Sequence, residues 1–252
     1  MLPDFSFCGD EMNSRAKLSA KAALCGSYAK IIGVLVPLAA AFVIFSFANA
    51  IINKYFSHTG NGFLVSAAIV TLPLAIFAIA PLCLLMQVRL VYLARGIRYC
   101  EGGQITLSEG LKACDLCVRL FAVKIFWLAV FEALPVCSML LFFFQIKSVT
   151  VSLKAAYTVA GGLFILAAAG LIFWLIFIQR YSKSMFFLAC YRDFTAADAM
   201  RESVIRTKNT AADIFLFKLG FLPWFVICLL VFPALYVIPY YKQSVTCLFL
   251  GR

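Results

Sequence analysis

Residues 104–146 read QITLSEGLKACDLCVRLFAVKIFWLAVFEALPVCSMLLFFFQI. The fold turns on where this stretch changes character. Up to Lys124 it mixes charges with a helical apolar repeat. From Ile125 to Ile146 its one charged residue is Glu132. A bilayer core about 30 Å thick takes roughly 20 apolar residues in a helix. The second half has that length. The first half reads as an amphipathic helix lying on the membrane and leading into it. Thr106 and Glu109 fit a capping box, whose hydroxyl and carboxylate satisfy free amides at a helix start. Beyond them Leu107, Leu111, Cys114, Val118 and Phe121 recur on one face, with Glu109, Lys112, Asp115 and Arg119 largely opposite.

The rest of the chain supports lipid as its solvent. It is 64% hydrophobic and 13% charged, with a mean hydropathy of +0.99. A soluble domain could not cover that much apolar surface. Ile31–Asn53, Phe63–Val88, Ala155–Gln179 and Leu219–Tyr241 contain no charged residue. Each is expected to be a helix, because lipid offers an open sheet edge no partner. HTGNG at 58–62 and QIKSVTVSLK at 145–154 read as turns between them. From Asp213 onward the chain is long for one span and short for two. A turn at Pro233 would divide it into helices over about 214–231 and 234–251. The expected fold is an all-α polytopic transmembrane bundle of six spans, the alternative being five with the tail on the far side.

Charge sets the expected orientation. Net charge is +11. It is interleaved between apolar runs, which fits membrane topology better than nucleic-acid binding. With the N-terminus inside, only Lys54, Lys147 and Lys154 fall outside, leaving 19 of the 22 basic residues on one side. The positive-inside rule then places both termini in the cytoplasm. MLPDFSFCGDEMNSRAK has no apolar core before Leu18 and does not read as a secretory signal. Arg95, Arg98, Lys112, Arg119, Arg201, Arg206 and Lys208 are candidate contacts to anionic lipid head groups. The competing reading is general attraction to an acidic leaflet, worth about 1 kcal/mol per cation near the surface.

The opening pattern recurs. Thr195 and Asp198 repeat the Thr-x-x-acid box 89 residues after Thr106. Ala197, Met200 and Val204 give the apolar face there, with Arg201, Glu202, Lys208 and Asn209 polar. Earlier, Leu18, Ala22, Cys25 and Ala29 share a face, and Leu18–Ser19 stands 89 residues before Leu107–Ser108. The expectation is one transmembrane domain, 1–252, of three units at about 14–105, 106–194 and 195–252. Each unit is a cytoplasmic amphipathic helix followed by a membrane hairpin.

Few residues suggest chemistry. Cys114-x-x-Cys117 could hold a metal or work as a redox pair, but zinc needs four Cys or His ligands. The one histidine, His58, is expected on the opposite side, and the cysteine pair lies within a helix rather than at its start. The ten cysteines therefore read as free thiols packing as small hydrophobes. No metal or cofactor is expected. Glu132 is the sharpest anomaly, since an acid at mid-bilayer costs about 2.5–3.5 kcal/mol on insertion scales. It reads either as a proton or cation site or as a buried acid bonded to a neighbouring helix. Lys242, amid Gln243, Ser244 and Thr246, is a candidate partner, although lysine can also snorkel. None of the common hydrolase, P-loop or dinucleotide signatures is present, and the expectation is that the chain is not an enzyme.

Tyr92–Gly96, the Ala199-x-x-x-Ser203 helix with Lys208–Asn209, and Pro239–Tyr240 carry a likeness that runs over nearly the whole chain. Through them the sequence resembles a bacterial integral-membrane family of unknown function, number 975 in the domain-of-unknown-function series. Thr207–Lys208–Asn209 stands where that family commonly has Lys-Gly-Asn. The resemblance implies a bacterial cytoplasmic-membrane protein with no established activity, and it supplies no catalytic residue.

Overall fold

Long runs without charge leave a backbone that must satisfy its own amides, and every regular element is accordingly helical among the described residues. The computed structural model describes residues 9–56, 61–96, 105–148, 153–228 and 231–251. Its helices are α1 (Gly9–Leu24), α2 (Tyr28–Phe56), α3 (Asn61–Ala94), α4 (Leu107–Ser148), α5 (Leu153–Phe177), α6 (Ser184–Cys190), α7 (Ala196–Thr207), α8 (Ala211–Leu219), α9 (Leu222–Ile227) and α10 (Val231–Gly251), with a 3-10 turn at Ile178–Tyr181. Among the described residues three segments are long and apolar enough to cross a membrane: Ile31–Ala48 in α2, Ala75–Ala94 in α3, and Thr158–Cys190, which runs from α5 through the 3-10 turn into α6.

Helix α3 is the hub. It packs on α1, α2, α4, α6 and α10, while α4 pairs with α5 and α1 lies along α10. The larger core gathers Leu84, Val88, Leu116, Phe187, Ile214 and Leu248, drawn from α3, α4, α6, α8 and α10. A smaller one joins Leu24, Ile31 and Val34 to Met86 and Leu90. Apolar residues also point outward. On α2 Val43, Ile44 and Phe47 are exposed; on α5 Phe164 is 73% and Ile165 70% exposed.

Polar residues fix α10 against α3. The Gln87 amide donates to Thr246 Oγ1 at 3.0 Å, and the Gln243 amide to the Leu90 carbonyl at 3.3 Å. Gln243, Ser244 and Thr246 are all buried. Such bonds hold helices together where no water competes, at about 0.6–2 kcal/mol each.

Both expected capping boxes are present. The Thr106 N–H donates to Glu109 Oε2 at 2.8 Å, and the Glu109 N–H to Thr106 Oγ1 at 3.4 Å. Thr195 and Asp198 exchange the same two bonds at 3.2 and 3.3 Å. The first unit does not match them, since Leu18 lies well inside α1 whereas Leu107 is the first residue of α4.

The structure corrects two expectations and refines a third. The helix beginning at Leu107 does not end near Lys124. Helix α4 continues unbroken for 42 residues, because no glycine or proline stands between Gly110 in its first turn and Pro135. The apolar face of α4 read from its period turns away from the packed core, the side a membrane-lying helix would give to lipid. Of Leu107, Leu111, Cys114, Val118 and Phe121 only Cys114 is buried, and the packed seam is Gly110, Ala113 and Leu116. This seam meets α3: a Cβ on Gly110 would stand in ordinary contact, 3.6 Å, with the Pro81 ring. In α1 likewise Ala16, Ala20 and Leu24 are buried while Leu18 and Ala22 are exposed. Finally, the tail does not turn at Pro233. That residue lies in the first turn of α10, where a missing N–H costs nothing. Gly26 (φ +77°) and Gly96 (φ +67°) end α1 and α3 in the left-handed conformation that favours glycine.

The Asp198 carboxyl is held below its ordinary range, first by the Thr195 hydroxyl and then by the Thr195 backbone N–H. A depressed carboxyl contributes stability above its unfolded pKa and loses it as pH falls through the folded one. Protection of the first-turn amides of α7, taken relative to their intrinsic exchange rates, is therefore expected to fall as pH drops below about 4, and Asp198→Asn to remove that loss. Thr195→Ala should cost about 1 kcal/mol. Protection that stays constant with pH in the unaltered chain would contradict this account.

Candidate functional site

The best-built polar site lies where α3 and α10 end against α6 and α7. It starts from a break in the backbone. The 3-10 turn after α5 leaves the Arg180 carbonyl outside the helical ladder, and α7 supplies its partners. Ser203 Oγ donates to that carbonyl at 2.7 Å, and Thr207 Oγ1 does so at 2.8 Å. Ser203 Oγ also accepts the Lys183 N–H at 3.2 Å. Ala199, Ser203 and Thr207 are each 0% exposed, so α7 lies tight on this turn. The clamp fixes Lys183 at the start of α6.

Lys183 is 2% exposed, with its ammonium 5.3 Å from the centre of the Phe249 ring. The Arg206 guanidinium sits 5.6 Å from the Phe187 ring and pairs with Glu202 one turn earlier. Arg95 Nη2 donates to Cys190 Sγ at 3.6 Å, a weak acceptor. These three cations, with Tyr191, Phe186 and Phe249, line a cavity of about 200 Å³. No carboxylate is among the described residues that line it. Such an arrangement can hold an anion; it offers no nucleophile paired with a base.

Of the seven cations singled out in the sequence, Arg95 and Arg206 meet here. Lys112 does something else: its ammonium donates to the Arg192 carbonyl at 2.8 Å, and Arg192 pairs with Glu109 at 3.4 Å. Those contacts tie the α6–α7 connection to α4. Arg119 forms an exposed pair with Asp115 at 2.9 Å, a geometry worth little in water. Arg201 and Lys208 are exposed on and just after α7, and Arg98 lies outside the described residues. Sequence reasoning missed Lys183 as a site residue. The available signal was a lysine in YSKSMFF, set between the end of an apolar run and an aromatic pair.

Glu132 and Lys242 are not brought together: no ion pair joins them among the described residues. Glu132 faces α5, where a Cβ on Gly170 would stand 3.1 Å from its Oε1 and 3.2 Å from the Phe131 carbonyl. Oε1 is buried with no hydrogen-bond partner. Trp127, Phe131 and Phe177 pack beside it, the rings of Trp127 and Phe177 at 4.4 Å. Helix α10 instead packs on α1, α2, α3 and α9. Lys242 there lies within electrostatic reach of Lys124 and Lys218, and the Lys218 ammonium donates to Gln179 Oε1 at 2.7 Å. The partner expected for the acid therefore belongs to a group of cations.

In the Cys-x-x-Cys pair, Cys114 is buried and Cys117 half-buried, both as free thiols. The Cys114 thiol points at the Ile76 carbonyl, 4.0 Å away. No cluster of three potential metal ligands occurs among the described residues, and His58 lies outside them. Compared with family models, curated proteins and solved structures, the chain matches none.

The close approach at Gly170 makes a stability prediction. Gly170→Val should separate α4 from α5 and destabilise the protein by about 1–3 kcal/mol, the usual cost of overpacking. Thermal unfolding in detergent measures it. A variant as stable as the parent would show that the two helices do not meet there.

Proposed function

We propose that the chain is a non-enzymatic, multi-pass protein of a bacterial cytoplasmic membrane that scaffolds or organises the envelope by holding anionic lipids at its cytoplasmic face. The observation that carries this reading is the gathering of Arg95, Lys183 and the Glu202-paired Arg206 around one cavity at the ends of α3 and α10. The six spans of this reading are α2, α3, the second half of α4, α5, α8 with α9, and α10. Both chain ends then share one side, in keeping with the packing of α1 along α10. The outward Phe164, Ile165 and Phe47 support lipid contact, because water would leave such a surface uncovered. The resemblance to the membrane family of unknown function belongs to the same reading.

A second reading, a transporter component, is favoured by one observation: the buried, unpartnered Oε1 of Glu132 in the α4–α5 interface. Intramembrane acids of this kind serve proton and ion paths. Vesicles loaded with a pH-sensitive dye test it. The parent should dissipate an imposed pH gradient and Glu132→Gln should not; a parent that dissipates nothing rejects the transporter.

The main reading is tested by topology and by lipid. Reporter fusions at residues 60 and 150 should be active outside, and one at 252 inside. A fusion at 252 active outside would impose five spans. Purified protein should co-float better with vesicles containing anionic lipid than with zwitterionic ones, and the difference should shrink with salt. Indifference to lipid charge would defeat the reading.

A further inference from the structure

The cavity at the end of α3 has features that general attraction to a charged surface does not require. Surface cations serve that purpose equally well when dispersed and hydrated. Here one of them, Lys183, is 2% exposed, and its position is set by the Arg180–Ser203–Thr207 clamp. The other two come from elements far apart in the chain: Arg95 follows α3, and Arg206 lies in the last turn of α7. Bringing three like charges together costs free energy. The Glu202 carboxylate paired with Arg206 offsets part of that cost, and so do the C-terminal ends of α3 and α10, since helix carbonyls there favour cations. Such an offset explains how the charges are tolerated. It does not explain why they surround an opening.

The chemistry of the opening narrows the ligand. Arginine offers a planar fork suited to phosphate oxygens, and lysine adds a point charge. Arg95 spends its guanidinium on a sulfur, which leaves its better donors available. At about 200 Å³ the space equals roughly six or seven waters, room for a phosphate and a short polar linker. Phe186, Phe187 and Phe249 form the remaining wall, and Leu250 stands at the lip, 36% exposed. A cationic floor under an aromatic wall suits a phosphate that is attached to something less polar.

We infer that this cavity is a specific binding site for one phosphate-bearing group, held by Arg95, Lys183 and Arg206. The inference deepens the lipid-contact reading and rests on it for the source of the phosphate. The shared chemistry comes from the head group of an anionic phospholipid or from a free phosphate, and the experiment separates the two.

The full chain is placed in nanodiscs of phosphatidylcholine doped with phosphatidylglycerol, and lipid retained per protein is read by native mass spectrometry. Arg95→Gln and Leu250→Trp are compared with Lys21→Gln, an exposed cation outside the cavity. Retention is expected to fall about tenfold for the two cavity variants and to stay unchanged for the control. Leu250→Trp leaves every cation in place, so it carries the test if Arg95→Gln proves unstable. A parallel arm follows thermal unfolding in detergent with inorganic phosphate, with sulfate as the comparison. Protection by phosphate that both cavity variants lose, without lipid retention, supports the site and assigns it to a free phosphate. Equal retention by cavity variants and control, with no phosphate protection, overturns the site. In that case flotation that still depends on anionic lipid leaves the broader reading standing, and flotation indifferent to lipid charge removes both.

Discussion

A peptide group in hydrocarbon has no water to bond with, so it must find its partner within the chain. The rest of the structure depends on that constraint. It accounts for the helical state of the three segments long and apolar enough to span a membrane, and it makes each departure from a helix there a place where polar groups must be supplied from elsewhere. The 3-10 turn at Ile178–Tyr181 shows the consequence. Its Arg180 carbonyl draws hydroxyls from α7, and meeting that need fixes Lys183 beside Arg95 and Arg206. The site is thus a by-product of satisfying one interrupted helix.

The same constraint governs packing. Burial here is not achieved by bulky residues alone, because lipid is as apolar as leucine. Gly110, Ala113 and Ala199 lie in packed seams, Gly170 marks a close approach, and Gln87, Gln243 and Thr246 bond across α3 and α10. Large residues such as Phe164 and Ile165 face outward. Glu132 is the exception within this scheme. Its carboxylate sits at the close contact with Gly170 yet leaves Oε1 without a protein partner.

Much of the fold was legible in the sequence. Helix identity followed from run length, and both capping boxes were readable from Thr106, Glu109, Thr195 and Asp198 because a cap involves residues three apart. What was not legible depended on contacts between distant segments. Period alone chose Leu107, Leu111 and Val118 as the apolar face of α4, whereas tertiary approach selected Gly110, Ala113 and Leu116. The continuity of α4 past Lys124 was hidden because a charged stretch was equated with a separate element. Residues 95, 183, 206 and 249 carry no local pattern, so their cavity could not be read from spacing. Arg95 and Arg206 were found through charge alone, and the Glu132–Lys242 pairing failed because α10 packs on α3 rather than along Glu132.

The central claim is that the cationic connections share one membrane face, and Lys208 reports on it directly because it is exposed at the end of α7. An impermeant amine reagent should be applied to right-side-out and to inverted membrane vesicles, with labelled peptides read by mass spectrometry. Lys208 should react only in inverted vesicles and Lys54 only in right-side-out ones. Ready labelling of Lys208 from the outer face would contradict the account.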